Sequence, residues 1–244
     1  MWLWIIATLV AFFIKGLCGF ANTLVFTSIL GFGASNVNIS PVELVLGYPT
    51  NFILTIRNRK QLNPKIYIPL AVLVLLGSIP GAFILKNVNA QYIKIVFGVV
   101  VVLIGLEMLV RESGKSSVKF RDSKIVLTVI GILSGVICGM FGVGALLAAY
   151  VGRVTGTSDE FKANISAVFI VENTFRIILY SIIGVITLSS VKQSVMMMPF
   201  MLIGLFAGIK SGQILDEKII KKLVIILLII SGIVLIAKNI TFIP

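Results

Sequence analysis

The sequence predicts an all-α integral membrane protein of two inverted repeats, each a broken or re-entrant helical hairpin followed by three transmembrane helices. Three observations predict it. Of 244 residues, 58% are hydrophobic and 12% charged, with mean hydropathy +1.11, against roughly 45–50% apolar and about 25% charged in ordinary soluble domains. The apolar residues gather in eight segments, and a series of landmarks recurs in order between the two halves. Finally, Lys and Arg fall on two sides in a ratio that depends strongly on how two of the segments run.

The apolar runs are Trp2 to Phe32, Pro41 to Ile56, Ile66 to Leu85, Tyr92 to Val110, Ile125 to Val151, Ala163 to Leu188, Val191 to Ile209 and Ile219 to Ala237. A hydrocarbon core about 30 Å thick takes ~20 helical residues, so six of these suit one crossing each. The first and fifth are longer, and each is interrupted by a Gly-rich stretch, Gly16-Leu17-Cys18-Gly19 and Gly135 to Gly144. They read as broken helices. Met1 to Ile14 carries no basic n-region, so it is expected to stay as part of the first membrane segment rather than be cleaved.

Placing Cys18-Gly19 on Cys138-Gly139 brings Asn51 near Asn173, Gly77 and Gly81 on Gly204 and Gly208, Lys94 on Lys221 and Gly105 on Gly232. The offset drifts only from 120 to 127 along these pairs, which points to duplication. The expected division is a first membrane repeat over 1–110, a cytoplasmic linker over 111–123 and a second repeat over 124–244.

Charge separates two topologies. With eight plain crossings, Lys and Arg divide eleven to eight between the sides. If the first and fifth segments are hairpins that leave on the side they entered, the loops around Arg57 to Lys65, Arg111 to Lys124, Arg153 to Lys162 and Lys210 to Lys222 share one side. That side then holds 15 and the other, with Lys86, Lys94, Lys192 and Lys238, holds 4. The positive-inside rule prefers the second arrangement, with both termini outside a cell membrane, plasma or inner. A hairpin plus three crossings inverts one half relative to the other, as in many secondary transporters.

Net charge +12 with pI near 9.9 arises from short clusters between apolar runs, so it reads as loop anchoring in a lipid bilayer and not as nucleic-acid binding. Two cysteines and no histidine argue against a disulfide scaffold or a His-based zinc site. No metal or cofactor is expected, and no phosphate-binding loop appears.

The interrupted segments suggest chemistry for a small anionic substrate. A turn feeding a helix exposes backbone N–H groups and the positive end of the helix dipole. At the first tip Cys18, Gly19, Asn22 and Thr23 are candidate binding residues; at the second, Cys138, Gly139, Gly142 and Gly144. Intramembrane charges are expensive and mark function by default. Lys15 has no local partner, while Glu172 and Arg176 stand four apart and can pair. Asn51 and Asn173 are repeat-related amides in apolar surroundings. Glu43 and Glu107, near segment ends, are expected to face water. The bland alternatives are glycines that permit helix packing, cysteines that act as small hydrophobes, and a structural Glu172–Arg176 pair.

The runs Lys15-Gly16-Leu17-Cys18-Gly19-Phe20-Ala21-Asn22 and Gly135 to Gly144 resemble the TauE/SafE family of sulfite-exporter-like permeases, and the resemblance extends over nearly the whole chain. It implies a permease, not an enzyme, that moves sulfite, thiosulfate, sulfonates or other small organic anions; protons and sodium are the candidate coupling ions for such a carrier. The chain departs from the family's denser glycine run at Phe20-Ala21-Asn22-Thr23. A membrane thiol or redox protein using Cys18 and Cys138, and an anion channel, remain alternatives at this point. Substrate, direction, coupling ion and oligomeric state are left open by the sequence.

Overall fold

The computed structural model describes residues 1–30, 36–87, 124–141 and 144–240, with 95, 98–99, 102–103, 105–106 and 109–110 between them. The expected linker 111–123, Lys94, Glu107 and Gly142 lie outside the described residues. Every described element is helical: α1 (Trp2–Cys18), α2 (Asn22–Leu30), α3 (Asn36–Arg57), a 3-10 turn (Arg59–Gln61), α4 (Pro64–Asn87), α5 (Lys124–Phe141), α6 (Ala145–Val154), α7 (Ser158–Ile182), α8 (Leu188–Ile214) and α9 (Glu217–Ile240).

Local chemistry sets the ends. Thr157 caps α7 by accepting from the Glu160 N–H, and Thr187 and Ser190 form a reciprocal capping box at α8, satisfying donors that a helix start leaves orphaned. Among the described residues, four stretches are long and apolar enough to cross a membrane, Ile39–Arg57, Pro64–Gly81, Ser158–Ile182 and Leu188–Ile214. The polarity is inside out. Ile178, Val195, Ile203 and Phe206 face outward while Lys15, Glu43, Glu172 and Arg176 are buried, an arrangement that water would not tolerate and lipid requires.

The first interrupted segment reverses direction. The rings of Trp4 on α1 and Phe26 on α2 are 5.8 Å apart, whereas a straight helix would separate them by about 33 Å at 1.5 Å per residue. The turn is made by Gly19 and Ala21, with φ of 86° and 71°, and the Gly19 N–H closes on the Lys15 carbonyl at 2.6 Å. Glycine takes the left-handed conformation without strain, while Ala21 adopts it at a cost of about 1 kcal/mol. The returning arm is short: α2 has 9 residues and α6 has 10, roughly 14–15 Å of helix, half of a bilayer core.

Helix α3 packs on α7, α1 on α8 and α4 on α5. Ser40 Oγ lies 3.5 Å from the Tyr180 hydroxyl, Tyr48 bonds Thr174 at 2.9 Å, and the Asn63 N–H donates to Asn164 at 2.9 Å. Rising numbers on α3 meet falling numbers on α7, so these helices run antiparallel. The α1–α8 and α4–α5 pairs are parallel and close, because glycines let backbone meet backbone. A Cβ on Gly16 would strike the Leu205 carbonyl, on Gly204 that of Leu9 and on Gly208 that of Phe13; on Gly139 it would strike Ser78, on Gly77 Ile132 and on Gly81 Val136, again at carbonyl oxygens.

These contacts relate the two helix pairs by an offset different from the one that aligns the cysteines. Adding 123 to each α1 number and subtracting 127 from each α8 number converts the first set of contacts into the second. Gly16 therefore corresponds to Gly139 and Lys15 to Cys138, three residues away from the alignment of Cys18-Gly19 on Cys138-Gly139. The two cysteines are not equivalent positions. Nor does Cys138-Gly139 form a tip, since both lie within α5, which continues to Phe141.

Candidate central anion site

A small buried cavity of about 20 Å³ lies where the first turn, α3 and α7 converge, lined by Lys15, Asn22, Thr23, Glu43, Asn51, Gly144, Asn173 and Arg176, with Phe20, Ala21, Leu24 and Phe169 as its apolar walls. Seven of the twelve residues singled out from sequence meet there: Lys15, Asn22, Thr23, Asn51, Gly144, Asn173 and Arg176. Asn22 opens α2 and Gly144 is the N-cap of α6. Two helix N-termini, one from each half, thus reach the same cavity, each contributing roughly half a positive charge and unpaired N–H groups.

Arg176 is the hub. Its Nε lies 3.8 Å from Glu172 Oε1 and its Nη2 3.9 Å from Glu43 Oε2; Nη1 donates to the Cys138 carbonyl at 3.5 Å, and its carbon sits 5.8 Å from the Tyr180 ring centroid. Both ion pairs exceed hydrogen-bond length, and Arg176 Nε, Glu172 Oε1 and Glu43 Oε2 have no hydrogen-bond partner. The expected Glu172–Arg176 pair exists, and Arg176 is shared rather than clamped.

Glu43 departs from expectation: it is 2% exposed instead of facing water. Its Oε1 accepts from Asn22 Nδ2 and from Thr23 Oγ1, the latter at 2.8 Å. Lys15, 1% exposed, donates to the Gly47 carbonyl at 3.4 Å and does not snorkel. Gly47 makes room for this meeting, because a Cβ there would come within 3.3 Å of both Asn22 Nδ2 and Glu43 Oε1 and 3.9 Å of Lys15 Nζ. Asn51 is fully buried, and both its amide nitrogen and oxygen lack partners. A buried amide without partners costs about 1–3 kcal/mol, and Asn51 carries that cost at the cavity wall.

Other candidates fall elsewhere. Cys18 belongs to an apolar cluster with Leu17, Phe20 and Leu70, and Cys138 contributes its carbonyl to Arg176. Neither cysteine lines the cavity. Gly19 packs against Lys162, and Gly139 against Ser78. A larger cavity of about 350 Å³, lined by Gly16, Arg57, Asn58, Ser158, Asp159, Lys162, Gly212, Gln213 and neighbouring apolar residues, opens where α3 ends, α7 begins and α8 ends. Gly16 borders it while the adjacent Lys15 borders the central cavity, so the last turn of α1 stands between the two.

The family model described as Sulfite exporter TauE/SafE matches residues 4–235. No curated protein and no solved structure matches the chain.

Proposed function

Because the chain belongs to the sulfite exporter TauE/SafE family and is thus a multi-pass membrane transporter, we propose that it carries a small sulfur-containing or organic anion through the central cavity. The observation that carries this reading is the fully buried, unpartnered amide of Asn51, placed on one cavity with Arg176, Lys15 and two helix N-termini. Together they offer point charge, a planar guanidinium and neutral donors, the set that a tetrahedral or pyramidal oxyanion takes.

Inverted repeats with re-entrant hairpins are supported by the antiparallel α3–α7 pair, by packing that survives exchange of α1 and α8 for α5 and α4, and by hairpin arms too short to cross. The larger cavity supports the orientation: Arg57, Lys162 and Gln213 gather at one end, as hairpin topology requires and eight plain crossings forbid. That end is the cytoplasmic vestibule, and both termini face outside a plasma or inner membrane. A cavity of about 20 Å³ has room for about one water, less than a four-atom oxyanion needs. The site must therefore widen to admit substrate, and movement of the first hairpin against α7 alternates access from the two sides.

The test is flux into liposomes containing the purified protein, with sulfite, thiosulfate and methanesulfonate as substrates. Saturable uptake of at least one supports the reading. If a control carrier moves its substrate while none of these crosses under any ion or proton gradient, the proposal fails.

A further inference from the structure

The donors around the central cavity already hold an anion that belongs to the chain. Asn22 and Thr23 donate to Glu43 Oε1, and Arg176 faces Oε2 at 3.9 Å. These are the amide, hydroxyl and guanidinium assigned above to substrate. Substrate and an ionised Glu43 therefore compete for one set of donors.

Charge decides the competition. Lys15, Arg176, Glu43 and Glu172 are all at most 3% exposed, and when all four are ionised their formal charges cancel. A monovalent anion added to that cluster leaves a net negative charge in a poorly solvated interior, which is strongly unfavourable. A proton on Glu43 restores neutrality. It also turns a charge-assisted acceptor into a neutral carboxyl, which releases Asn22, Thr23 and Arg176 to the incoming anion.

We infer that Glu43 couples transport to protons by standing in for the substrate at its own donors and giving way when protonated. The inference rests on the anion-site reading above. A proton from water on one side bonds to a Glu43 carboxylate oxygen as one monovalent oxyanion, such as bisulfite or a sulfonate, takes its donors. On the other side the O–H bond breaks, the proton returns to water, and Glu43 reclaims Asn22, Thr23 and Arg176 as the anion leaves. One proton and one monoanion cross together, with no net charge moved.

The surroundings of Glu43 favour it over the other ionisable groups. Lys15 of α1 shares the cavity wall with it; Arg176 of α7 pairs with its Oε2, and Glu172, Tyr180 and Cys138 of α5 gather around Arg176. The α2 side chains that touch it, Asn22 and Thr23, do not titrate. Helix α8 keeps Lys192 and Lys210 on its exposed surface. Glu172 sits near Arg176 on its own helix but takes no bond from the hairpin tip, so its protonation would not release the tip donors.

The experiment uses methanesulfonate, whose anion has no readily leaking neutral form, in liposomes containing the full chain and an entrapped pH dye. An inward methanesulfonate gradient is expected to carry protons inward, one per anion, at a rate that clamping the membrane potential does not alter. For the wild type, the apparent Kd rises with pH by up to about tenfold per unit; for Glu43→Gln it stays flat, and flux moves no protons. Methanesulfonate flux without a dye response, or proton movement that persists in Glu43→Gln, overturns the inference while leaving the anion site standing. If neither methanesulfonate nor sulfite crosses, the proposed function itself fails and the inference with it. Should Glu43→Gln not fold, the proton ratio and the voltage independence of the wild type decide the matter.

Discussion

Replacing Asn51 by Leu is expected to move stability and transport in opposite directions. Leu has the branched shape and heavy-atom count of Asn and no polar atoms, while Asn51 is 0% exposed with both amide atoms unpartnered. Each unsatisfied buried group costs about 1–3 kcal/mol. If water in the cavity serves one of them, removing the amide still stabilises the protein by about 1–3 kcal/mol. At about 2–4 °C per kcal/mol for a chain of this size, the melting temperature in detergent rises by roughly 2–12 °C. Substrate binding loses a hydrogen bond to a charged ligand, about 1.5–3 kcal/mol, so KM for methanesulfonate or sulfite rises by roughly 10- to 100-fold. Thermal unfolding followed by tryptophan or thiol fluorescence, with flux on the same preparation, gives both numbers. A lower melting temperature together with an unchanged KM would mean that the fold itself satisfies Asn51, and would remove the observation on which the anion site rests.

Arg176→Ala leaves Glu43 and Glu172 buried without their shared cation and is expected to destabilise by about 3–5 kcal/mol; Arg176→Lys keeps the charge, folds, and loses affinity because a point charge cannot serve two carboxylates and a ligand at once, as thermal scans and KM will separate. Gly16→Ala and Gly139→Ala each force apart a helix pair at a carbonyl contact and are expected to cost a similar amount, about 1–3 kcal/mol, in the same melting assay; strongly unequal losses would break the proposed equivalence. Cys18→Ala and Cys138→Ala should both retain flux with KM within about threefold, which a thiol relay could not survive. In a cysteine-free background, single cysteines at Arg57 and Gln213 should react with an impermeant thiol reagent from the cytoplasmic side and one at Lys192 only from the outside.

Much of the fold follows from two quantities that a linear sequence carries well, apolar run length and the side on which Lys and Arg fall. Arg57 and Lys162, which the charge count groups on one side, line the same larger cavity where α3 ends and α7 begins. The internal register is less visible. Cysteine is rare here, so matching Cys18 with Cys138 looks informative, yet neither thiol contacts the cavity. The matching contacts are those of Gly16 and Gly139, whose absent side chains let α1 meet α8 and α5 meet α4. Glycine is common in such helices, and only the backbone carbonyl opposite each one identifies the pair.

Glu43 is the cavity residue that sequence reading places wrongly, and the reason lies at Pro41. Taking that proline as the start of an apolar segment puts Glu43 within a turn of the membrane surface. Helix α3 instead begins at Asn36 and carries Pro41 in its interior, so Glu43 sits deeper, against α7. The charges gathered at the central cavity point to it. Lys15 and Arg176 contribute two positive charges and Glu172 only one negative, and a dry interior does not keep an uncompensated cation. The remaining positive charge can be read as room for a substrate anion, or as a demand for one more carboxylate from the chain. In the mechanism proposed above both meet at the same donors, since Asn22, Thr23 and Arg176 face Glu43 and line the cavity together. A carrier whose site is already filled by its own carboxylate does not collapse around unpaired charge between substrates, and a proton is the smallest change that can empty it.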